Sequence, residues 1–253
     1  MIMRFLTSLF GAKQKPDEGV FEAPIAPDAP FVAIGDIHGC ATALADVLTR
    51  IDAVHPDVPV VCVGDYVDRG EKSREVLAQL MELSTARGAD FVCLLGNHEK
   101  MLLDFLGDPA GKGPRWLRFG GLQTLASFGV RYGGTSGLVD AANGLVEAMG
   151  PDMIAWLRDR PLMWQSGNVA VVHAGADPRA PLADQSARTL IWGHPDFEAV
   201  AREDGVWIVH GHTIVDAAKA SQGRIAIDTG AYATGRLTAA HIAPGGVSFI
   251  EVS

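Results

Sequence analysis

Apolar and polar positions follow two different periods along the N-terminal part of the chain. Short continuous apolar runs, Phe31 to Ile34, Val58 to Val63 and Phe91 to Leu95, are bounded by Gly, Pro, Asp and Asn. Runs of this kind read as buried strands. Between them the period changes. Ala41 to Ile51 carries Leu44, Val47, Leu48 and Ile51 at helical spacing. Ser73 is placed to cap a helix reaching about Arg87, with Val76, Leu77 and Leu80 on its inner face and Gly88 ending it. His98 to Leu106 reads as a third helix. Strand and helix thus alternate with a repeat of about thirty residues, the length of a βαβ unit, which predicts parallel strands.

The pattern changes at Gly107. From there to Pro161 the chain is Gly-rich, holds Trp116 and Trp156, and shows helical patches near 115–127 and 151–159. This region predicts a small helical cap. Apolar strands return at Val169 to His173, Trp207 to His210, Arg224 to Ile227, Leu237 to Ile242 and Phe249 to Val252. Their close spacing predicts a second, mixed sheet. The expected fold class is α/β, a layered β-sandwich of mixed sheets flanked by helices. The stretch Lys13 to Pro30, rich in Pro, Ala, Asp and Glu, reads as a flexible tether. Phe5, Leu6, Leu9 and Phe10 before it can form one helical face suited to a weak surface contact. The expected organisation is a flexible segment over 1–30 and one domain over 31–253, with the cap at about 107–161.

Composition narrows the chemistry. The chain has 253 residues, 48% of them hydrophobic, and a net charge of −9. An acidic protein lacks the basic surface that a sequence-independent grip on nucleic acid needs, so no nucleic-acid partner is expected. Cys40, Cys62 and Cys93 are isolated, and the latter two fall inside strands, where thiols pack as small hydrophobes. No apolar run reaches the roughly eighteen residues of a membrane span, and no small-residue cleavage site follows the N-terminus. A cytoplasmic location is expected.

The strand ends carry the candidate chemistry. The first three strands end in Gly35-Asp36-Ile37-His38-Gly39, Gly64-Asp65-Tyr66-Val67-Asp68-Arg69-Gly70 and Gly96-Asn97-His98-Glu99. Parallel strands put these words on one sheet edge, where Asp36, His38, Asp65, Asp68, Asn97 and His98 gather. His173-Ala174-Gly175 and Gly211-His212-Thr213 follow later strands in the same way. Asp36, His38, Asp65, Asn97, His173 and His212 are therefore candidate metal ligands. The mixture of oxygen and nitrogen donors suits Mn, Fe or Zn. Asp65, on the central word, is placed to bridge two cations.

The ordered set GDIHG, GDYVDRG, GNHE, HAG and GHT resembles the calcineurin-like metallophosphoesterases over roughly residues 31 to 242. GDYVDRG with GNHE is similar to the phosphoprotein phosphatase group, especially compact bacterial serine/threonine phosphatases. Ile227-Asp228-Thr229-Gly230-Ala231 before Gly235-Arg236-Leu237-Thr238 is similar to the terminal strands of the bacterial members. The resemblance implies two divalent metal ions, manganese first among them. Asp36 and His38 would hold one, Asn97, His173 and His212 the other, with Asp65 between. It implies His98 as general acid, Asp68 orienting it, and Arg69 holding the phosphate.

Departures from the family pattern concern the substrate. Ile214 stands where broader metallophosphoesterases carry a second His. A second phosphate-binding group is sought among Arg179, Arg188 and His194, with Gly193-His194 where bacterial members place an Arg, and Arg118 in the cap is a further candidate. His210 is two residues from His212 and competes with it. Asp228 suggests a hydrogen-bonding role beside the ligands, Glu99 a carboxylate at a helix N-terminus, and Tyr66 either packing or pocket lining. The leading expectation is a phosphomonoesterase acting on phosphoserine or phosphothreonine in proteins. The alternative is a dinucleoside tetraphosphate hydrolase, with Trp116 and Phe119 as stacking surfaces for adenine. The expected partner is accordingly a phosphorylated protein or a small phosphorylated molecule.

Overall fold

A computed structural model describes residues 21–134 and 137–253. The apolar face expected at Phe5 to Phe10 and the first part of the expected tether lie outside the described residues. The core is two sheets laid face to face. The first has the order β10-β9-β1-β2-β3, with β1 at Phe31–Ile34, β2 at Val60–Cys62, β3 at Phe91–Cys93, β9 at Leu237–Ala243 and β10 at Gly246–Val252. The second has the order β4-β5-β6-β8-β7, from Met163–Ser166, Val169–Val172, Trp207–His210, Arg224–Ala226 and Lys219–Ser221 respectively.

Each interior strand is apolar on both sides because both sheet faces are covered. Phe31 and Ala33 of β1 point between the sheets, where they meet Val61, Val63, Val171, Val209, Ile225 and Ile242. Val32 and Ile34 point the other way, toward α1 (Ala41–Val54), α2 (Ser73–Arg87) and α3 (Asn97–Gly107). Cys62 and Cys93 are register partners on that face and are fully buried, as packing thiols should be. On the far side of the second sheet, Ala170, Val172 and Ile208 pack under Leu190 of α7 (Ala187–Trp192) and Phe197.

Two expectations are corrected. The strands at 237–243 and 246–252 join the first sheet, not the second: β9 runs antiparallel to β1 with Ile34 opposite Ala239. Its burial explains this. Leu237 and Ala239 face the helices while Ala240 and Ile242 face the second sheet, so β9 needs cover on both sides. The tether was expected to reach Pro30, yet residues 21–30 pack on the second sheet. Ile25 is buried, Phe21 meets Trp207 edge to face at 5.1 Å, and Asn168 donates to the Pro24 carbonyl and accepts from the Ala26 N–H.

The cap is built of α4 (Pro109–Trp116), a π turn at Leu117–Gly121, α5 (Leu122–Ser127) and α6 (Leu138–Arg158), with α6 bent at Gly150. It is anchored on the main body. Leu138, Ala141, Leu145 and Leu157 share one cluster with the helix-facing side chains of β1 to β3, and the Trp156 indole donates to Ser84. No described helix is long and apolar enough to cross a membrane.

Register is what assembles the site. Ile34 pairs with Cys62 and Cys62 with Cys93, so the three polar words leave the sheet level with one another. In the second sheet β5, β6 and β8 are parallel, and His173 and His212 follow β5 and β6 at the same edge. The Val63 carbonyl facing His173 and the His212 N–H donating to Asp36 join the two edges.

Candidate metal centre

Backbone strain marks the site first. Seven non-glycine residues among those described have positive φ, and five of them are His38, Asp65, Asp68, Arg69 and His212. Such conformations persist only where the surroundings over-determine them, and they cluster at functional sites. The backbone there is also packed without room for a side chain. A Cβ on Gly96 would lie 2.3 Å from the Asp65 N and Oδ1, and one on Gly211 would lie 1.9 Å from Asp36 Oδ1.

Asp65 is the centre. Its Oδ2 lies 3.5 Å from His38 Nε2 and 3.8 Å from His98 Nε2, and its Oδ1 lies 3.3 Å from His173 Nε2. The His98 N–H donates to Oδ1 at 3.0 Å. Two groups of candidate ligand atoms result, His38, Asp65 and His98 on one side and Asp65, His173 and His212 on the other. They share Asp65. Asp36 stands beside them with its carboxylate accepting from the His212 N–H at 3.0 and 3.2 Å.

The imidazoles are in the state that binds metal. Burial first of all pushes His38 down to about 3 and His173 down to about 4, so both are neutral near pH 7. Each fixes its tautomer through a backbone carbonyl, which can only accept. His38 Nδ1 donates to Val67 at 2.7 Å and His173 Nδ1 to Val63 at 3.2 Å. Nε2 of His173 is therefore a lone pair, and it lies 2.8 Å from Asn97 Oδ1, another acceptor. Two buried acceptors turned on one another lack a proton between them. A cation satisfies both, since bonds of about 2.1 Å at right angles place neighbouring ligand atoms about 3 Å apart.

The carboxyls say the same. Burial, then the charges of Asp228 and Asp65, hold Asp36 well above the usual carboxylate range. Burial and the Asp65 charge push Asp228 up to about 6, against a hydrogen bond from the Gly230 N–H. Crowded carboxyls with neutral imidazoles fit divalent cations, and the donor set suits Mn, Fe or Zn. Asp228 touches Asp36 rather than either ligand group, the hydrogen-bonding place expected for it.

A second cluster holds Asp68 and His98. His98 Nδ1 lies 2.7 Å from Asp68 Oδ2. The Trp116 indole N–H donates to both Asp68 oxygens at 3.0 and 3.1 Å, and the Thr124 hydroxyl donates to Oδ1 at 2.7 Å. Trp116 is fully buried and stacked on Phe105 at 4.5 Å. It offers no surface to a base, which corrects the expectation of Trp116 as a stacking platform. Ser73 is likewise not a helix cap. Lys72 occupies that position, and the Ser73 hydroxyl accepts from the Asp68 N–H at 3.2 Å.

Glu99 does far more than stand at a helix N-terminus. It is buried and accepts from the N–H groups of Asp65 (2.8 Å), Tyr66 (2.7 Å), Val67 (3.2 Å) and Gly96 (3.1 Å). It fixes the loop that carries Asp65 and Asp68. Glu99→Gln removes acceptor capacity from this loop and brings a donor amide against backbone donors. The expected loss of stability is roughly 2–4 kcal/mol, read by urea denaturation. A wild-type midpoint would show that the loop holds its shape without the carboxylate.

Arg69 reaches the same edge. Its Nη1 donates to His38 Nε2 at 3.2 Å and its backbone N–H to the Gly120 carbonyl at 3.3 Å. The other candidate phosphate-binding groups stand elsewhere. Arg118 is exposed and donates to the Pro114 carbonyl of α4. Arg188 is exposed on α7 with no partner among the described residues. His194 lies 3.7 Å from Asp177 and accepts from the Asp196 N–H, and Arg179 pairs with Asp196. Arg115 has its guanidinium 4.7 Å over Trp192 and 6.0 Å from the Phe119 centroid. His210 packs edge to face on Phe197 at 4.9 Å and belongs to neither ligand group. Tyr66 is packing, its hydroxyl donating to the Leu94 carbonyl at 2.6 Å.

Known proteins resemble this arrangement. The symmetrical bis(5'-nucleosyl)-tetraphosphatase of Janthinobacterium sp. (strain Marseille) is 34% identical over 147 residues, 58% of this chain and 44% of that protein. The chain spans about half the length of the curated relatives it matches. Among solved structures, a candidate diadenosine tetraphosphatase superposes with a TM-score of 0.63 at 21% identity, covering 92% of this chain and 99% of that one. A Saccharomyces cerevisiae serine/threonine phosphatase with similarity to human phosphatase PP5 gives 0.62 at 17% identity, covering 91% and 84%. Both likenesses are of fold. The family description "calcineurin-like phosphoesterase" matches residues 29–216, from just before β1 to beyond His212. With its ligand words gathered at one double-sheet edge, the chain belongs to the calcineurin-like phosphoesterases.

Proposed function

We propose that this phosphoesterase hydrolyses bis(5'-nucleosyl) tetraphosphates at the central anhydride, releasing two nucleoside diphosphates. The observation that carries this reading is the similarity, at up to 34% identity, to relatives named as symmetrical bis(5'-nucleosyl)-tetraphosphatases. The leading expectation from sequence, a phosphoprotein substrate, gives way to its alternative. The likeness to a serine/threonine phosphatase stands at 17% identity and supports the shared fold.

The residues divide the work. Asp36, His38 and Asp65 would hold one cation and Asp65, Asn97, His173 and His212 the other. A pair of divalent cations held there would supply charge to neutralise the phosphate and a water of near-neutral pKa. Arg69 presents a planar fork that can hold two phosphate oxygens at once. His98 stands 4.7 Å from His38, ring centroid to centroid, with its Nε2 toward the cation edge. From there it protonates the departing oxygen. Asp68, held by Trp116 and Thr124, fixes the His98 ring and its tautomer.

The test compares two substrates on metal-stripped protein given Mn²⁺. Turnover of diadenosine tetraphosphate to ADP is expected to exceed phosphate release from a phosphoserine peptide. A faster peptide reaction returns the assignment to protein dephosphorylation.

A further inference from the structure

Two exposed aromatic rings that no step of the hydrolysis uses lie against imidazoles of the hydrolytic edge. Tyr232, on α8 (Ala231–Thr234), meets His38 edge to face at 5.3 Å. Phe119, in the π turn, meets His98 edge to face at 6.4 Å. His38 and His98 are themselves 4.7 Å apart. Ring contacts thus run from Tyr232 to His38, from His38 to His98 and from His98 to Phe119. Tyr232 is 39% exposed and Phe119 44%. Each also has a guanidinium over its ring, Arg69 at 4.7 Å from Tyr232 and Arg115 at 6.0 Å from Phe119. Beside Tyr232 the site opens into a cleft of about 510 Å³ lined by Arg69, Lys72, Gly39 and Ala41 among others. That size falls within the range of small-ligand pockets.

Scattered single hydrophobes on a surface need no explanation. Two exposed rings, each against a different imidazole of one reacting centre and each with a cation beside it, are a different observation. We infer that Tyr232 and Phe119 are the platforms on which the two nucleobases of one dinucleotide stack, one on each side of the scissile anhydride. The inference rests on the proposed dinucleotide reading and deepens it. Cleavage at the central bond leaves two phosphates on each side, so the two bases lie at equal covalent distance from the break. A site for such a molecule needs a platform on both flanks, with positive charge near each to meet the outer phosphates. Stacking tolerates any base because every base has a π face, so adenine and guanine dinucleotides should serve alike.

The test measures binding as well as turnover. With Mn²⁺ present, the affinities of ADP and of pyrophosphate are compared by titration calorimetry. The base should make ADP bind roughly tenfold tighter or more. Tyr232→Leu and Phe119→Leu keep apolar bulk without a π face, and each is expected to reduce that ratio. The double variant should abolish it and raise KM for diadenosine tetraphosphate more than it lowers kcat. Tyr232→Phe and Phe119→Trp retain a ring and should retain the ratio. The ratio cancels any displacement of Arg69, because both ligands carry the diphosphate. Unchanged discrimination in the double leucine variant, in a protein that still prefers the dinucleotide, overturns the platforms and leaves the proposed activity standing. A wild type that prefers the phosphopeptide overturns the activity and the platforms with it.

Discussion

Asp65→Asn is expected to lose metal and activity together. The substitution is nearly isosteric, and the amide oxygen can still accept from the His98 N–H that now bonds Oδ1. What it cannot do is face two cations. Oδ2 of Asp65 looks toward His38 and His98, and Oδ1 toward His173. An amide puts an NH₂ on one of those sides and carries no charge. Removing a partner that only orients a ligand costs about 10- to 100-fold in metal affinity or activity. Removing the shared ligand should cost more than that, with the metal content of the purified protein falling in step. The fold should persist, because the loop around residue 65 is held by Glu99 rather than by the Asp65 carboxylate. Wild-type metal stoichiometry in a folded, inactive variant would move the bridge away from Asp65.

How far the sequence reveals this site follows from where its parts sit. The five ligand-bearing words are local. Each lies at a strand end, and register alone brings them together, so the gathering of Asp36, His38, Asp65, Asn97, His173 and His212 at one edge was legible from pattern. The groups that hold them in shape are not local. Trp116 and Thr124 reach Asp68 from positions 48 and 56 residues away in the cap, across a chain segment with no periodic tie to the sheet. Glu99 was visible as a position, yet its four backbone donors come from a loop over thirty residues earlier and from Gly96. The placement of β9 was misread for a related reason. Neighbouring strands in the chain suggest neighbouring strands in space, and only burial on both faces shows that Leu237–Ala243 belongs beside β1. Of the two exposed rings, Tyr232 follows no pattern, whereas Phe119 was named beside Trp116 and only burial tells those two apart. One comes from a four-residue helix and one from a π turn.

The second large effect depends on what leaves. His98→Ala removes the proton donor while keeping all six ligands expected from sequence. A serine alkoxide is a poor leaving group and gains much from protonation, so turnover of a phosphoserine peptide should fall roughly 10²- to 10⁴-fold. A nucleoside diphosphate leaves as a weakly basic phosphate oxygen, so diadenosine tetraphosphate should lose far less in the same variant. The pH profile separates the two in the same direction. Burial opposes the charged form of His98, but Asp65 and Asp68 outweigh it and hold its pKa above the ordinary imidazole value. The acid form therefore persists to higher pH, and peptide turnover should fall as pH rises through that raised pKa. Asp68→Asn removes one of the raising charges and should bring the fall to lower pH. Dinucleotide turnover should show little of this limb. Equal losses on both substrates, with no alkaline limb on either, would instead make His98 a group that holds the phosphate and gives no proton to what departs.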